Sequence, residues 1–340
     1  MHFCTRFAVI TDLHVDIMHD GVARMQAFCE AARAHQVDFL LHLGDIQYPE
    51  AAFLNEHFPD SLHEREGHAW FLCDRDDEKL AIKQLIADTG LPLYGVLGNH
   101  DMDSCTKTAA CAYWGMPGPY YDFVQGGVRF VVLDTNFIRK DGKLIDFAHC
   151  NYRGVPNENH SFLSPEELAW LEQVVFNSAE PCVLLSHAAL GDDILCIRNR
   201  AEVWNLVERA NTDRRRVILA LNGHNHIDGV SVRRGVPFVS INSASNIWIG
   251  HQYDAIRYSK TIDKMYPHMK GCAPYRDALF AIVEIDESGI RILGRETGFV
   301  GPSPQALGFP KKNAFFDPSP VIRSRTLPLA AIPGDGATNL

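Results

Sequence analysis

The sequence predicts an α/β fold in which parallel strands are joined by crossover helices. Three observations carry this. Through the first hundred residues, apolar runs and helix-spaced runs alternate as strand, helix, strand, helix, strand. Apolar runs stop at glycine–polar clusters, as buried strands do when the chain turns out of a sheet. The chain has 340 residues, of which 46% are hydrophobic and 22% charged. That profile excludes a disordered, collagenous or coiled-coil chain. A chain this long buries about three quarters of its unfolded surface, so it needs no staples.

Taken in order, Phe7 to Thr11 reads as the first strand and ends in Asp12-Leu13-His14. Val22 to His35 has helical spacing and good helix formers. Asp38 to Leu43 is a second strand, stopped by Gly44-Asp45. Residues 49–75 carry two prolines and three histidines with few β-branched residues, and read as an insertion. Asp76 to Asp88 is helical, and Leu91 to Leu97 is a strand stopped by Gly98-Asn99. Tyr120 to Val124 and Val128 to Thr135 flank Gln125-Gly126-Gly127, a hairpin signal. Ser164-Pro165-Glu166-Glu167 opens a helix that runs to about Phe176, with Ser as cap and Pro at the first position. Cys182 to Leu185 is a strand ending in Ser186-His187. Arg200 to Ala210 is a helix, and Val217 to Leu221 is a strand ending in Gly223-His224. Val230 to Val232 and Phe238 to Ile241 form a further hairpin around Arg234-Gly235, and residues 278–293 give two more strands. Seven of the 18 prolines fall after residue 300, which excludes a helix or a central strand there. The chain therefore divides into one domain over 1–298 and a proline-rich tail over 299–340, which wraps the domain or is partly disordered.

Charge narrows the partners. With 32 basic and 42 acidic residues the chain carries −10, which disfavours generic binding to nucleic acid or to an anionic membrane. Attraction for an anionic substrate then has to be local, as metal ions provide. Nine scattered cysteines, none in a C-x-x-C pair, read as reduced thiols of a cytoplasmic protein. No signal peptide and no apolar run near 18 residues is visible, so the Asn159 sequon carries no glycosylation meaning. The dinucleotide, P-loop and G-x-S-x-G motifs are all missing.

Five polar clusters stand at the carboxyl ends of strands: Asp12-Leu13-His14, Gly44-Asp45, Gly98-Asn99-His100-Asp101, His187 and Gly223-His224-Asn225-His226. Carboxyl ends of strands are where open α/β sheets bind ligands. All donors are oxygen or nitrogen, a set that suits Mn, Fe, Zn, Co or Ni and no iron–sulfur cluster. Asp12 and His14, two apart on an extended segment, leave on one face, and His224 and His226 repeat the pattern. Asp45 has two oxygens and can span two ions about 3.5–4 Å apart. Singly, each cluster is an ordinary turn. His42, within Leu40 to Leu43, belongs to the core.

The ordered set resembles the calcineurin-like metallophosphoesterase superfamily, whose pattern runs D-x-H, G-D, G-N-H-[DE], a lone His and G-H-x-H. The resemblance implies two packed mixed sheets flanked by helices (αββα) in a single domain with insertions. It implies two divalent or trivalent ions per chain (Mn, Fe or Zn). Asp12, His14 and His226 then hold the first and Asn99, His187 and His224 the second, with Asp45 bridging. His100 takes the family's catalytic position, with Asp101 behind it fixing its tautomer. The implied reaction is hydrolysis of a small phosphorylated substrate by metal-hydroxide attack, without a phosphoenzyme. The protein phosphatase branch carries G-D-x-V-D-R-G, whereas here Gly44-Asp45-Ile46-Gln47-Tyr48-Pro49-Glu50 lacks the arginine. The D-x-H and G-N-H-D forms resemble the phosphodiesterase branch, which acts on diesters and nucleotide-type substrates. A phosphomonoesterase, or a scaffold with the same fold, is the alternative.

Substrate contacts are assigned to Tyr48 as a pocket wall, to Asn225 and to Arg257. Arg257 lies in a basic, aromatic stretch over 251–276 that reads either as a solvated excursion or as a lid. Asn242, Ser243 and Asn246 extend a polar rim. Oligomeric state is left open by the sequence.

Overall fold

A computed structural model describes residues 3–60, 75–310 and 317–329. Most of the 49–75 insertion, with His63 and His68, lies outside the described residues, and so do 311–316 and 330–340 of the tail.

The chain opens with β1 (Cys4–Ile10), α1 (Gly21–Ala34), β2 (Phe39–His42), α2 (Ala51–His57), α3 (Asp76–Ala87) and β3 (Leu93–Gly95). Then come α4 (Lys107–Trp114), β4 (Tyr121–Gln125), β5 (Val128–Val132) and the hairpin β6 (Phe137–Lys140) with β7 (Lys143–Asp146). The second half has α5 (Pro165–Asn177), β8 (Cys182–Ser186), α6 (Arg200–Ala210), β9 (Val217–Asn222), β10 (Gly229–Arg233) and β11 (Val236–Ser240). Next are β12 (Asn246–Trp248), α7 (Lys260–Met265) and β13 (Cys272–Pro274), and last β14 (Ala281–Asp286), β15 (Gly289–Leu293) and β16 (Arg325–Leu327).

Two mixed sheets of six strands result, in the orders β16-β15-β14-β1-β2-β3 and β10-β11-β9-β8-β5-β4. β1, β2 and β3 are parallel, and so are β5, β8, β9 and β11. Alternation along each strand explains the layers. Phe7, Val9, Phe39 and Leu41 face Phe130, Val132, Val183, Leu185 and Leu221 between the sheets. Ala8, Ile10 and Leu40 turn outward onto Met25, Phe28 and Ile82 of α1 and α3. Val131, Leu184 and Ala220 turn the other way onto Leu171, Val175, Val203 and Leu206 of α5 and α6. The four layers are the αββα arrangement implied by the sequence motifs.

Ser164 caps α5 as its sequence predicts, accepting from the Glu167 N–H at 3.1 Å. The sequence reading does not contain α4, capped by Thr106 through the Ala109 N–H, nor the β6–β7 hairpin. Within the 299–340 tail, β16 pairs antiparallel with β15 as an edge strand, a sheet position that a proline-rich segment tolerates. Arg323 and Arg325 both donate to the buried carboxylate of Asp228, at 2.9 and 2.6 Å. No helix among the described residues is long and apolar enough to cross a membrane, and no disulfide joins described cysteines.

Candidate metal centre

Every predicted ligand sits just beyond the carboxyl end of β1, β2, β3, β8 or β9, so both sheets contribute to one cluster. The local backbone is not the extended segment that the two-apart spacing implies. Asp12, His14, Asp45, His224 and His226 all have positive φ, between 51° and 68°. Asp and His tolerate this left-handed region better than most residues, but it is strained and persists only where surroundings impose it. Here the imposing contacts are Asp12 N–H to Gly44 O and His14 N–H to Asp45 O, both 3.0 Å. Side chains converge because the backbone coils, with the same result that a strand would give. Gly44 (φ +95°) and Gly98 meet here, and a Cβ on Gly98 would lie 2.1 Å from Asp45 Oδ1. The glycines therefore let two ligand loops touch.

Two triads form. His226 Nε2 lies 3.1 Å from Asp12 Oδ1 and 3.0 Å from His14 Nε2. His187 Nε2 lies 3.1 Å from Asp45 Oδ2 and 3.1 Å from His224 Nδ1. Asp45 Oδ2 is also 3.9 Å from His14 Nε2, which links the triads. Asn99 contributes a buried Oδ1 with no hydrogen-bond partner, and Asp12 Oδ1 is another.

These residues fit a pair of cations. His187 donates Nδ1–H to Leu43 O at 2.7 Å, and His226 donates Nδ1–H to Asn246 O at 2.8 Å. Both carbonyls fix the tautomer that leaves Nε2 as a lone pair aimed into the cluster, the support usual for metal-bound imidazole. Lone pairs and carboxylates pointing at one another repel unless positive charge lies between them. The titration pattern says the same. Burial opposes charge on His187, yet Asp45 and Asp12 push its pKa up to about 10. Burial and the His187 charge push neighbouring His224 down to about 3. Burial also opposes ionisation of Asp12, but His226 and His14 hold its pKa well below the usual range.

His100 stands at the edge of this cluster, near His14 and Asp45. The residue behind it is Asp103, not Asp101. Asp103 Oδ2 lies 2.7 Å from His100 Nδ1, and Tyr152 Oη donates to Asp103 Oδ1 at 2.5 Å. Asp101 faces away, its Oδ2 accepting from Gly98 N–H (2.8 Å) and Asp45 N–H (3.1 Å). In the tight turn over 100–102, the residue three positions on returns to the same side, whereas the adjacent one does not. Asp101 thus pins the loop of the central carboxylate. Burial opposes the charge on His100, but Asp103 and Asp45 raise its pKa to about 9.

Of the predicted substrate contacts, Tyr48 lines a crevice beside His14, Asp45 and His100, with Lys79 over its ring at 3.9 Å. Asn225 does not face the site: its amide accepts from Leu195 N–H at 3.0 Å and donates to Leu195 O at 3.3 Å. Arg257 does not either, being buried with its guanidinium on Pro302 O at 2.7 Å. Within the 251–276 stretch, Tyr266, Met269 and Cys272 sit against Ile17 and Met18 and His268 lines the crevice, while Ile256 and Met265 are exposed. Asn242, Ser243 and Asn246 are fully buried. Ser243 and Ser245 donate to Asp12 O at 2.8 and 3.0 Å and steady the first ligand loop.

Trp248, which no sequence motif marks, also borders the cluster. It is 38% exposed, and its ring lies 5.8, 6.4 and 6.0 Å from those of His14, His100 and His226.

A family model described as calcineurin-like phosphoesterase matches residues 5–228, which contain all of these ligands. The chain belongs to that family. Its members use divalent metal ions, and the family places the chain among the metal-dependent hydrolases. Among solved structures, a dimetal phosphatase from Danio rerio superposes with a TM-score of 0.56 at 15% identity, covering 88% of this chain and 99% of that one. PhoD superposes with a TM-score of 0.51 at 17% identity, covering 88% of this chain and 67% of its own. Both likenesses show the fold. The human serine/threonine-protein phosphatase CPPED1 is 34% identical over 89 residues, 25% of this chain. The match spans 27% of that relative's length.

Proposed function

We propose that the chain is a dinuclear-metal phosphoesterase that hydrolyses phosphodiester or nucleotide-type phosphate and diphosphate substrates. One observation carries the reading: two carboxylates and four imidazoles meet in a single buried cluster, with His100 held at its rim. Asp12, His14 and His226 would hold one ion, Asn99, His187 and His224 the other, and Asp45 both. Mn, Fe and Zn all suit this donor set. When bound, such ions acidify water and neutralise charge on phosphoryl oxygens. His100 gives its Nε2 proton to the departing oxygen, while Asp103 holds Nδ1–H and so fixes the ring. Tyr152 holds Asp103 in turn. The motif forms and the missing arginine after Asp45 support a diester or nucleotide-type substrate.

A phosphomonoester reading is favoured by the name of the curated relative, a protein phosphatase. Metal analysis with a screen of bis(p-nitrophenyl) phosphate, phosphomonoesters and diphosphates in the presence of Mn tests both. Two ions per chain with diester turnover supports the first reading, and preference for phosphoserine peptides supports the second. Full metal loading without turnover of any ester would leave a scaffold.

A further inference from the structure

The Asn99, His187 and His224 side of the cluster opens into a cavity of about 180 Å³. Arg198 lines the same cavity. In a chain with more acidic than basic residues, most arginines of this fold find carboxylates: Arg129 pairs with Glu180, Arg209 with Glu172 and Arg323 with Asp317. Arg198 is half-buried, and among the described residues no carboxylate lies within ion-pair distance of it. Its Nε donates to His160 O at 3.4 Å, leaving the two terminal nitrogens without an acceptor among the described residues.

Its backbone is fixed in advance. Arg198 N–H donates to Ser161 O at 2.8 Å and Ile197 N–H to Ala189 O at 3.0 Å. The Asn225 amide clamps Leu195 in the same loop. The opposite crevice, beside His14 and His100, is lined by no arginine or lysine, and its Asp16 and Asp103 are already paired with Lys79 at 2.8 Å and His100 at 2.7 Å, so it offers a second anion no open guanidinium. A planar guanidinium with two open donors matches a carboxylate or a phosphate oxygen pair.

We propose that Arg198 anchors a second anionic group of the substrate, so that the site selects phosphate esters that carry a further carboxylate or phosphate. This rests on the phosphoesterase reading above and names the substrate class within it.

The test uses the Mn-loaded protein and three matched p-nitrophenyl diesters whose other alkyl arm ends in a methyl, a carboxylate or a phosphate. The parent should favour the charged esters over the methyl ester in kcat/KM. In Arg198→Met that ratio should fall by about 10- to 100-fold, the worth of a hydrogen-bonded charge pair. The fall should lie mainly in KM, and Arg198→Lys should restore part of it. The arm that loses more identifies carboxylate or phosphate as the preferred group. No preference in the parent, or equal losses on all three esters in Arg198→Met, would overturn the proposal. Calorimetric binding of ethylphosphonate, 3-phosphonopropionate and ethylenebisphosphonate reads the same contrast without turnover. If no ester is hydrolysed but the charged phosphonates bind more tightly and lose that advantage in Arg198→Met, the anchor stands and the hydrolase reading falls. If neither charged phosphonate gains over ethylphosphonate, the anchor falls as well.

Discussion

The two halves of the metal centre meet solvent differently. Asp12, His14 and His226 are at most 2% exposed, and the Trp248 ring lies against both histidines. Asn99 and His224 are less enclosed, and with His187 they line the larger cavity. One half is the more sealed, meeting only the small crevice that His14 lines, and the other is a wall of the larger cavity. An ion in the sealed half is therefore expected to exchange slowly and one in the open half quickly.

Predictions follow from that contrast, the largest effect first. Asp45 touches both triads, so Asp45→Asn should abolish turnover and empty both halves, read by elemental analysis after dialysis. His226→Ala should empty only the sealed half and leave about one ion per chain. Loss of both ions in His226→Ala, or full loading of Asp45→Asn, would break the two-halves description.

His100→Ala should keep both ions, because His100 is assigned to proton transfer. General acid catalysis is worth about 10²–10⁴-fold and matters most for basic leaving groups. The variant should lose that much in kcat on alkyl esters and far less on nitrophenyl esters. Parallel plots of rate against leaving-group pKa for parent and variant would remove the general-acid role.

Asp103→Asn and Asp101→Ala separate two adjacent carboxylates. The first should reproduce part of the His100 defect with metal content intact. The second should loosen the loop of Asp45 and lower metal affinity by about 10- to 100-fold, the usual cost of losing a residue that braces a ligand. Exchange of these outcomes would restore Asp101 as the histidine's partner.

The smallest effect concerns His42, buried behind the open half, where burial pushes its pKa down to about 3. A folded value below the unfolded one near 6.5 means that the unfolded chain takes up the proton first. Stability is then unaffected above about pH 6.5 and falls as pH drops towards 3, with a slope approaching about 1.4 kcal/mol per pH unit. Urea midpoints from pH 7 to 4 should fall less steeply in His42→Leu than in the parent. Equal slopes would show that His42 is protonated in the folded protein.

The legible part of this molecule is the part in which sequence neighbours share one fate. Asp12-Leu13-His14 and Gly98-Asn99-His100 each follow a buried strand, so their position at the sheet ends can be read directly. Partners set by a turn or by distant packing cannot. Asp103 serves His100 because a tight turn carries the chain back, and adjacency pointed to Asp101 instead. Trp248 reaches the cluster from a short strand that pairs only with β13, with no motif around it. Arg257 and Asn225 carry the right chemistry but spend it on backbone carbonyls and amides. The tail joins the first sheet through three residues among many prolines, too few for periodicity to register.

The pairing of β1 has a consequence for biosynthesis. On one side β1 meets β2 within a short stretch of chain, Phe7 beside Phe39. On the other it pairs with β14, Cys4 beside Asp286. At a translation rate of about 5–20 residues per second, that flank waits roughly ten to fifty seconds for its partner. During the wait it is an apolar strand with an open hydrogen-bonding edge, which any other nascent chain can extend. Metal ions cannot shorten the interval, because His224 and His226 are also made late. How well one early strand is shielded until a late one arrives is thus a property of this topology that the stability of the finished fold does not report.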